Sequence, residues 1–176
     1  MSEELEIPEV LERLKEFSVY GDTPGRGPNL APIERVLAAH TGTVQLLLSL
    51  WWNEPVDIVL ISQSEEDGKI HRVVDLTCRN SHLVAAHAES IIKIEYNHPD
   101  VIGDVRAQKL GLGQIAVKHN IQTSRVLHEV QVAPHELSRF YSMKGMAASS
   151  TGGPGGGQLL RLHYEIRESF PRVHYR

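Results

Sequence analysis

Cysteine, long apolar runs and an excess of positive charge are all missing from this sequence of 176 residues. Cys78 is the only cysteine, which excludes an internal disulfide and a cysteine-rich zinc site and agrees with a reducing compartment. No apolar run approaches the roughly 18 residues that a membrane-spanning helix needs. Residues 1–6 are acidic and lack the positively charged start of a signal peptide. We therefore expect a soluble, cytoplasmic protein without a membrane span.

The charge balance and the length limit the partners and the number of domains. Asp and Glu number 22 against 18 Lys and Arg, so no basic field is expected that would attract nucleic acid. A hydrophobic content of 41% suits one buried core, and the chain is too short for two ordinary domains. We expect one domain at residues 30–176. Residues 1–29 are predicted to form a leading helix and a loose connector rich in glycine and proline.

Helical patterns come first and strand patterns follow. Helices are predicted at 32–40 and 43–52, from about 97 to 109, and in a short segment that ends near 120. Segments rich in β-branched and aliphatic residues predict strands at 56–63, 72–78, 84–94, 125–132 and 159–170. Short turns separate consecutive strands, which indicates an antiparallel sheet. The glycine-rich segment 147–157 lacks the Gly-Lys-Ser/Thr ending of a phosphate loop and is predicted to be a flexible linker.

Two charged residues share a strand face with apolar residues. Because side chains alternate between the faces of a strand, Arg72 lies on the face of Val74 and Leu76. Glu168 lies on the face of Ile166 in the last strand. An unpaired ionised group in an apolar interior costs at least several kcal/mol, so each of these residues needs a partner or a solvated pocket.

Alternation alone leaves two interpretations of this pair open. In the first, Arg72 and Glu168 pair with each other, or both lie near strand ends and reach water along their stems. In the second, they form a site for an anionic ligand, since a planar guanidinium binds a carboxylate through two parallel hydrogen bonds.

The histidines, the cysteine and the tryptophans are weaker candidates for a functional site. His82 and His87 are five residues apart on opposite strand faces, and there is no His-Glu-x-x-His motif, so no metal site is expected. His128 is either a core residue or part of a pocket wall, and we favour the core. Cys78 is expected to be a small buried hydrophobe, and the tryptophans at 51–52 to cover the sheet.

Five segments, in this order, resemble motifs of the chorismate pyruvate-lyase family, particularly its archaeal-type members. Residues 41–47 resemble the family's opening helix, with Gln45 at a position usually held by threonine. The segment 71–76 is similar to its arginine-bearing strand, and 88–92 to the strand that follows. The segment 109–115 resembles its Pro-Leu-Gly-x-x-Leu turn, and 168–171 its terminal Glu-x-Phe-Pro signature.

The resemblance implies a fold and four site residues. The fold would be α+β, a six-stranded antiparallel sheet with surrounding helices that enclose an internal pocket. The segment before the final hairpin is shorter here than in the family, so 139–143 is predicted to be the fifth strand. Arg72 would bind a ring carboxylate, and Glu168 the ring hydroxyl. Leu112 and Val44 would supply main-chain contacts. Arg72 and Glu168 would be the catalytic pair, Glu168 with a further role as general acid or base.

The activity implied by the resemblance is removal of pyruvate from chorismate, which leaves 4-hydroxybenzoate. Aromatisation drives this reaction, so no cofactor is expected, and the partner would be a small aromatic or pre-aromatic carboxylic acid. One alternative is an enzyme of this fold that acts on another small acid. The other is a freestanding ligand-binding domain related to effector domains of transcription regulators, although about 30 preceding residues are too few for a DNA-binding domain.

Overall fold

The structure is a computed structural model that describes residues 30–40, 42–148 and 159–175. The predicted leading helix and connector at 1–29 lie outside these ranges. Most of the predicted glycine-rich linker also lies outside them. Its first two residues are described, and they belong to a strand, so the predicted start of the linker at 147 is wrong.

The described chain alternates short helices with long strands. The helices are α1 Pro32–Ala39, α2 Val44–Trp52, α3 Pro99–Ala107 and α4 Leu112–Lys118, with 3₁₀ turns at Ile94–Tyr96 and Arg172–His174. The strands are β1 Val56–Glu66, β2 Lys69–Cys78, β3 Val84–Lys93, β4 Gln122–Val132, β5 Glu136–Ala148 and β6 Leu159–Pro171. The α+β class that the sequence predicts is therefore confirmed.

All six strands belong to one antiparallel sheet with the order β1-β2-β3-β6-β5-β4. The sheet consists of two meanders, β1 to β3 and β4 to β6, that meet where β3 pairs with β6. Asp67 and Gly68 join β1 to β2 with φ of 49° and 71°, the two positive values that a tight type I′ hairpin turn requires. The predicted six-stranded antiparallel sheet is confirmed.

The four helices cover one face of the sheet and form two apolar clusters with it. The first cluster joins α1 and α2 to the sheet and includes Leu37, Leu48 and Phe170. The second joins α3 and α4 to it and includes Ile102 and Ile115. None of the described helices is long and apolar enough to cross a membrane.

His128 lies in solvent, so its predicted place in the core is wrong. The pairing of β4 with β5 shifts between Leu127 and Glu129, which makes His128 the extra residue of a β-bulge. The bulge breaks the regular alternation, and Val130 beyond it is buried while Val126 before it is exposed. Cys78 is fully buried, as predicted.

Candidate ligand-binding site

A cavity of about 80 Å³ lies on the helix-covered face of the sheet, between the two apolar clusters. The four residues predicted to form the site all line it: Arg72, Glu168, Leu112 and Val44. The cavity is partly open to solvent, so the structure does not show the fully internal pocket that the resemblance implies.

Arg72 enters the cavity from β2 and is buried, with 2% of its surface exposed. Its Nη2 donates to the carbonyl oxygen of Leu110 at 2.9 Å. Its Nε and Nη1 are also buried, and within the described ranges neither has a hydrogen-bond partner. Burial lowers the pKa of the Arg72 guanidinium from its usual value, but an arginine keeps its charge at neutral pH. Arg72 is therefore a buried cation with two free donors beside a cavity.

Glu168 enters from β6 and is engaged by two other residues. Arg139 forms an ion pair with it, in which Nε donates to Oε2 at 2.7 Å and Nη2 lies 2.6 Å from the same oxygen. The Tyr141 hydroxyl donates to Oε1 at 2.9 Å. Only 5% of Glu168 is exposed. Neither the Arg72–Glu168 ion pair nor the solvent-reaching arrangement considered from the sequence is present.

Strand register explains why Arg139 meets Glu168. Arg139 on β5 lies directly opposite Glu168 on β6, and cross-strand neighbours on one face are about 4.5–5.5 Å apart at Cβ. The Nη1 of Arg139 donates to the carbonyl oxygens of Leu37 and His40 at the end of α1, where helix carbonyls lack helical partners. Sequence reasoning missed Arg139. Arg139 alternates with Leu137 and Tyr141 along one strand face, and this pattern could have predicted that its side chain points inward.

Leu112 and Val44 each begin a helix at the edge of the cavity. Val44 is the first residue of α2, and Thr43 before it makes no side-chain capping bond, so the first-turn N–H groups lack that acceptor. Leu112 begins α4 after Gly111, whose N–H donates to Gln114 Oε1 at 2.8 Å. A Cβ at Gly111 would lie 2.1 Å from Ile58 Cδ1, so a side chain at this position would require Ile58 to shift.

Arg125 on β4 is a second guanidinium at the cavity that sequence reasoning did not single out. It is half-buried, and its Cζ lies 5.3 Å from the centroid of the Tyr141 ring. Its Nε and Nη1 are buried and have no hydrogen-bond partner in the part of the chain that the structure describes. The site thus contains two guanidinium groups with free donors.

No protein-family model matches the chain, and no curated protein matches it. The resemblance to chorismate pyruvate-lyases therefore stays a prediction.

No group of three His, Cys, Asp or Glu side chains is placed to hold a metal ion in the described ranges. The polar groups of the candidate site include two guanidinium groups, one carboxylate and the first turns of two helices.

His40 lines a smaller cavity of about 20 Å³ behind the site, which it shares with Arg125, Arg139 and Tyr141. Its Nε2 is buried and lacks a partner in the ranges that the structure covers. Burial lowers the pKa of His40 from its ordinary value, and the positive charge of Arg139 lowers it further. The folded protein therefore favours the neutral imidazole.

This shift predicts a loss of stability in mild acid. As the pH falls through about 6.5, the unfolded chain protonates His40 before the folded chain does, so the free energy of unfolding decreases. We expect the decrease between pH 7.0 and pH 5.5, measured by urea unfolding, to be smaller in His40→Gln than in the wild type. His71→Gln, which changes an exposed histidine, is the matched control and should retain the wild-type pH dependence. Equal pH dependence in all three proteins would contradict the prediction.

Proposed function

We propose that the cavity binds a small ring carboxylic acid, with the carboxylate on Arg72. The observation that carries this proposal is the buried guanidinium of Arg72, whose Nε and Nη1 have no partner among the described residues. A buried charge without a partner is costly, and it is compensated when a ligand supplies the missing acceptor. A carboxylate offers two oxygens in the spacing that a guanidinium matches.

The other walls of the cavity suit a ring that carries a hydroxyl group. Val74, Leu76 and Ile166 supply apolar contact surface. Glu168 is a hydrogen-bond acceptor, since Arg139 and Tyr141 both donate to it, and each carboxylate oxygen can accept a further bond. A ligand hydroxyl could donate to Glu168 while its carboxylate lies on Arg72.

On this basis we propose a cytoplasmic chorismate pyruvate-lyase that forms 4-hydroxybenzoate and pyruvate. In this reaction the ether bond between the ring and the enolpyruvyl group breaks and the ring loses a proton. The enolpyruvyl group leaves as pyruvate, and the gain of aromaticity drives the step. The chain would contribute orientation of the ring between Arg72 and Glu168, and exclusion of water by the apolar walls.

Incubation with chorismate is expected to yield pyruvate and 4-hydroxybenzoate in equal amounts. A coupled assay with lactate dehydrogenase measures the pyruvate, and chromatography measures the 4-hydroxybenzoate. Arg72→Met should form neither product above the uncatalysed rate. Arg79→Met is the matched control, because Arg79 is exposed and pairs with Asp57 outside the cavity. It should retain wild-type turnover. Pyruvate formation that is equal in wild type and Arg72→Met would overturn the proposal.

A binding module without chemistry is the second candidate, and one observation favours it. Both oxygens of Glu168 already accept hydrogen bonds from Arg139 and Tyr141, an arrangement that suits a fixed acceptor better than a group that transfers protons. Such a module would bind 4-hydroxybenzoate through Arg72 and leave chorismate unchanged. Calorimetric titration beside the turnover assay distinguishes the two candidates.

A further inference from the structure

Arg125 adds to the cavity a positive charge for which the described residues supply no ion-pair partner. Three charged residues of the described ranges line the cavity: Arg72, Arg125 and Glu168. Glu168 is paired with Arg139, which neutralises both members of that pair. Two guanidinium groups then remain, and no carboxylate of the described chain lies within ion-pair distance of either. Two positive charges at one cavity suit a ligand with two negative groups.

The contact between Arg125 and Tyr141 does not satisfy the guanidinium. The Cζ of Arg125 lies 5.3 Å from the centroid of the Tyr141 ring, which is within cation–π distance. Its Nε–H and Nη1–H bonds point outward in the guanidinium plane, as in every arginine, and have no acceptor in the described residues. The cation–π contact therefore leaves these N–H donors of Arg125 without an acceptor in the described residues.

The two guanidinium groups reach the cavity from strands that are not neighbours in the sheet. Arg72 is on β2 and Arg125 is on β4, four strand spacings apart in the sheet order, which is roughly 19 Å along a flat sheet. Both side chains nevertheless line one cavity of about 80 Å³. A ligand held by both would carry its negative groups on different sides of its ring.

We propose that Arg125 binds a second carboxylate, so that the preferred ligand is a ring acid with one carboxylate on the ring and another on a side group. This inference rests on the proposed function, in which Arg72 takes the ring carboxylate. Chorismate has both groups, and its second carboxylate leaves with pyruvate. The remaining 4-hydroxybenzoate has a single carboxylate, so Arg125 would favour the substrate over this product.

The test compares three ligands that differ in the second group alone. Benzoate has only the ring carboxylate, 3-(carboxymethoxy)benzoate adds a second one through an ether, and the primary amide of that side group has the same shape without the charge. Calorimetric titration at fixed ionic strength gives the dissociation constants. In the wild type the dicarboxylate should bind about 10- to 100-fold more tightly than its amide, the range of a charged hydrogen bond.

Variants assign the effect to a residue. Arg125→Met should reduce the preference for the dicarboxylate over the amide to less than about threefold. Arg125→Lys should retain part of the preference because it keeps the charge. Thermal unfolding confirms that each variant is folded. Arg79→Met, an exposed arginine outside the cavity, should retain the full preference.

The outcomes separate this inference from the proposed function. If benzoate binds through Arg72 but the dicarboxylate and the amide bind equally, the second carboxylate site is wrong and the proposed function stands. If the dicarboxylate is preferred through Arg125 but benzoate binding does not depend on Arg72, the second site stands and the ring-carboxylate site is wrong. A preference that persists in Arg125→Met overturns the role of Arg125.

Discussion

Arg72→Met is expected to abolish most of the binding of 4-hydroxybenzoate and to stabilise the ligand-free protein at the same time. The loss of binding should be about 1.5–3 kcal/mol, the size of a hydrogen bond to a charged group. The free energy of unfolding should rise by about 1–3 kcal/mol. These opposite changes follow from the same feature, a buried guanidinium that lacks an anionic partner in the described chain.

The sign of the stability change follows from two contributions. Removal of the guanidinium leaves the Leu110 carbonyl without its donor, which costs about 1–3 kcal/mol. The same removal relieves a buried and uncompensated charge, whose effective desolvation penalty is several kcal/mol. Methionine also fills much of the volume with a flexible apolar chain. The relief is larger than the cost, so the variant gains stability.

Arg139→Met is the matched control for this prediction. Arg139 is also a buried arginine on an inward strand face, but it is paired with Glu168. The same chemical change should therefore destabilise the protein by about 3–5 kcal/mol, since it leaves a buried carboxylate without its cation. Urea unfolding of both variants without ligand measures the two changes. A similar loss of stability in Arg72→Met and Arg139→Met would mean that Arg72 has a stabilising partner in the free protein.

Local patterns in the sequence were sufficient to predict where most of the described helices and strands lie. Alternation of apolar residues and the turn residues Asp67 and Gly68 predicted the strands of the first meander to within three residues at each end. The length of β5 could not be predicted in this way. Its 13 residues, Glu136–Ala148, pair with β6 along their whole length, and that pairing depends on a strand distant in sequence.

The part of the site that depends on the alternation of side chains along single strands could be predicted from the sequence. Arg72 and Glu168 could be placed inward from the two-residue period of a strand, and both line the cavity. The partner of Glu168 could not be deduced, because strand order and register bring Arg139 beside it. Arg125 was missed for a similar reason, since it reaches the cavity from the far edge strand of the sheet.

Glu168→Gln is expected to destabilise the protein by about 3–5 kcal/mol, because the amide leaves the buried charge of Arg139 without a counter-charge. Urea unfolding provides the measurement. Glu165→Gln is the control on the same strand. Glu165 pairs with Lys93 on the outer face, and both are about 30% exposed, so its loss should cost less than about 1 kcal/mol.

The double variant Arg139→Met with Glu168→Gln separates the structural role of Glu168 from its role toward the ligand. With both charges removed, no uncompensated ion remains at this position, so the double variant should recover at least about 2 kcal/mol of the stability lost in Glu168→Gln. Its amide oxygen can still accept a hydrogen bond from a ligand hydroxyl. If the double variant is folded and binds 4-hydroxybenzoate but does not convert chorismate, the negative charge of Glu168 is needed for turnover. If Glu168→Gln alone is as stable as the wild type, the Arg139 ion pair does not stabilise the fold, and the buried charge of Arg139 must be balanced by its bonds to the α1 carbonyls.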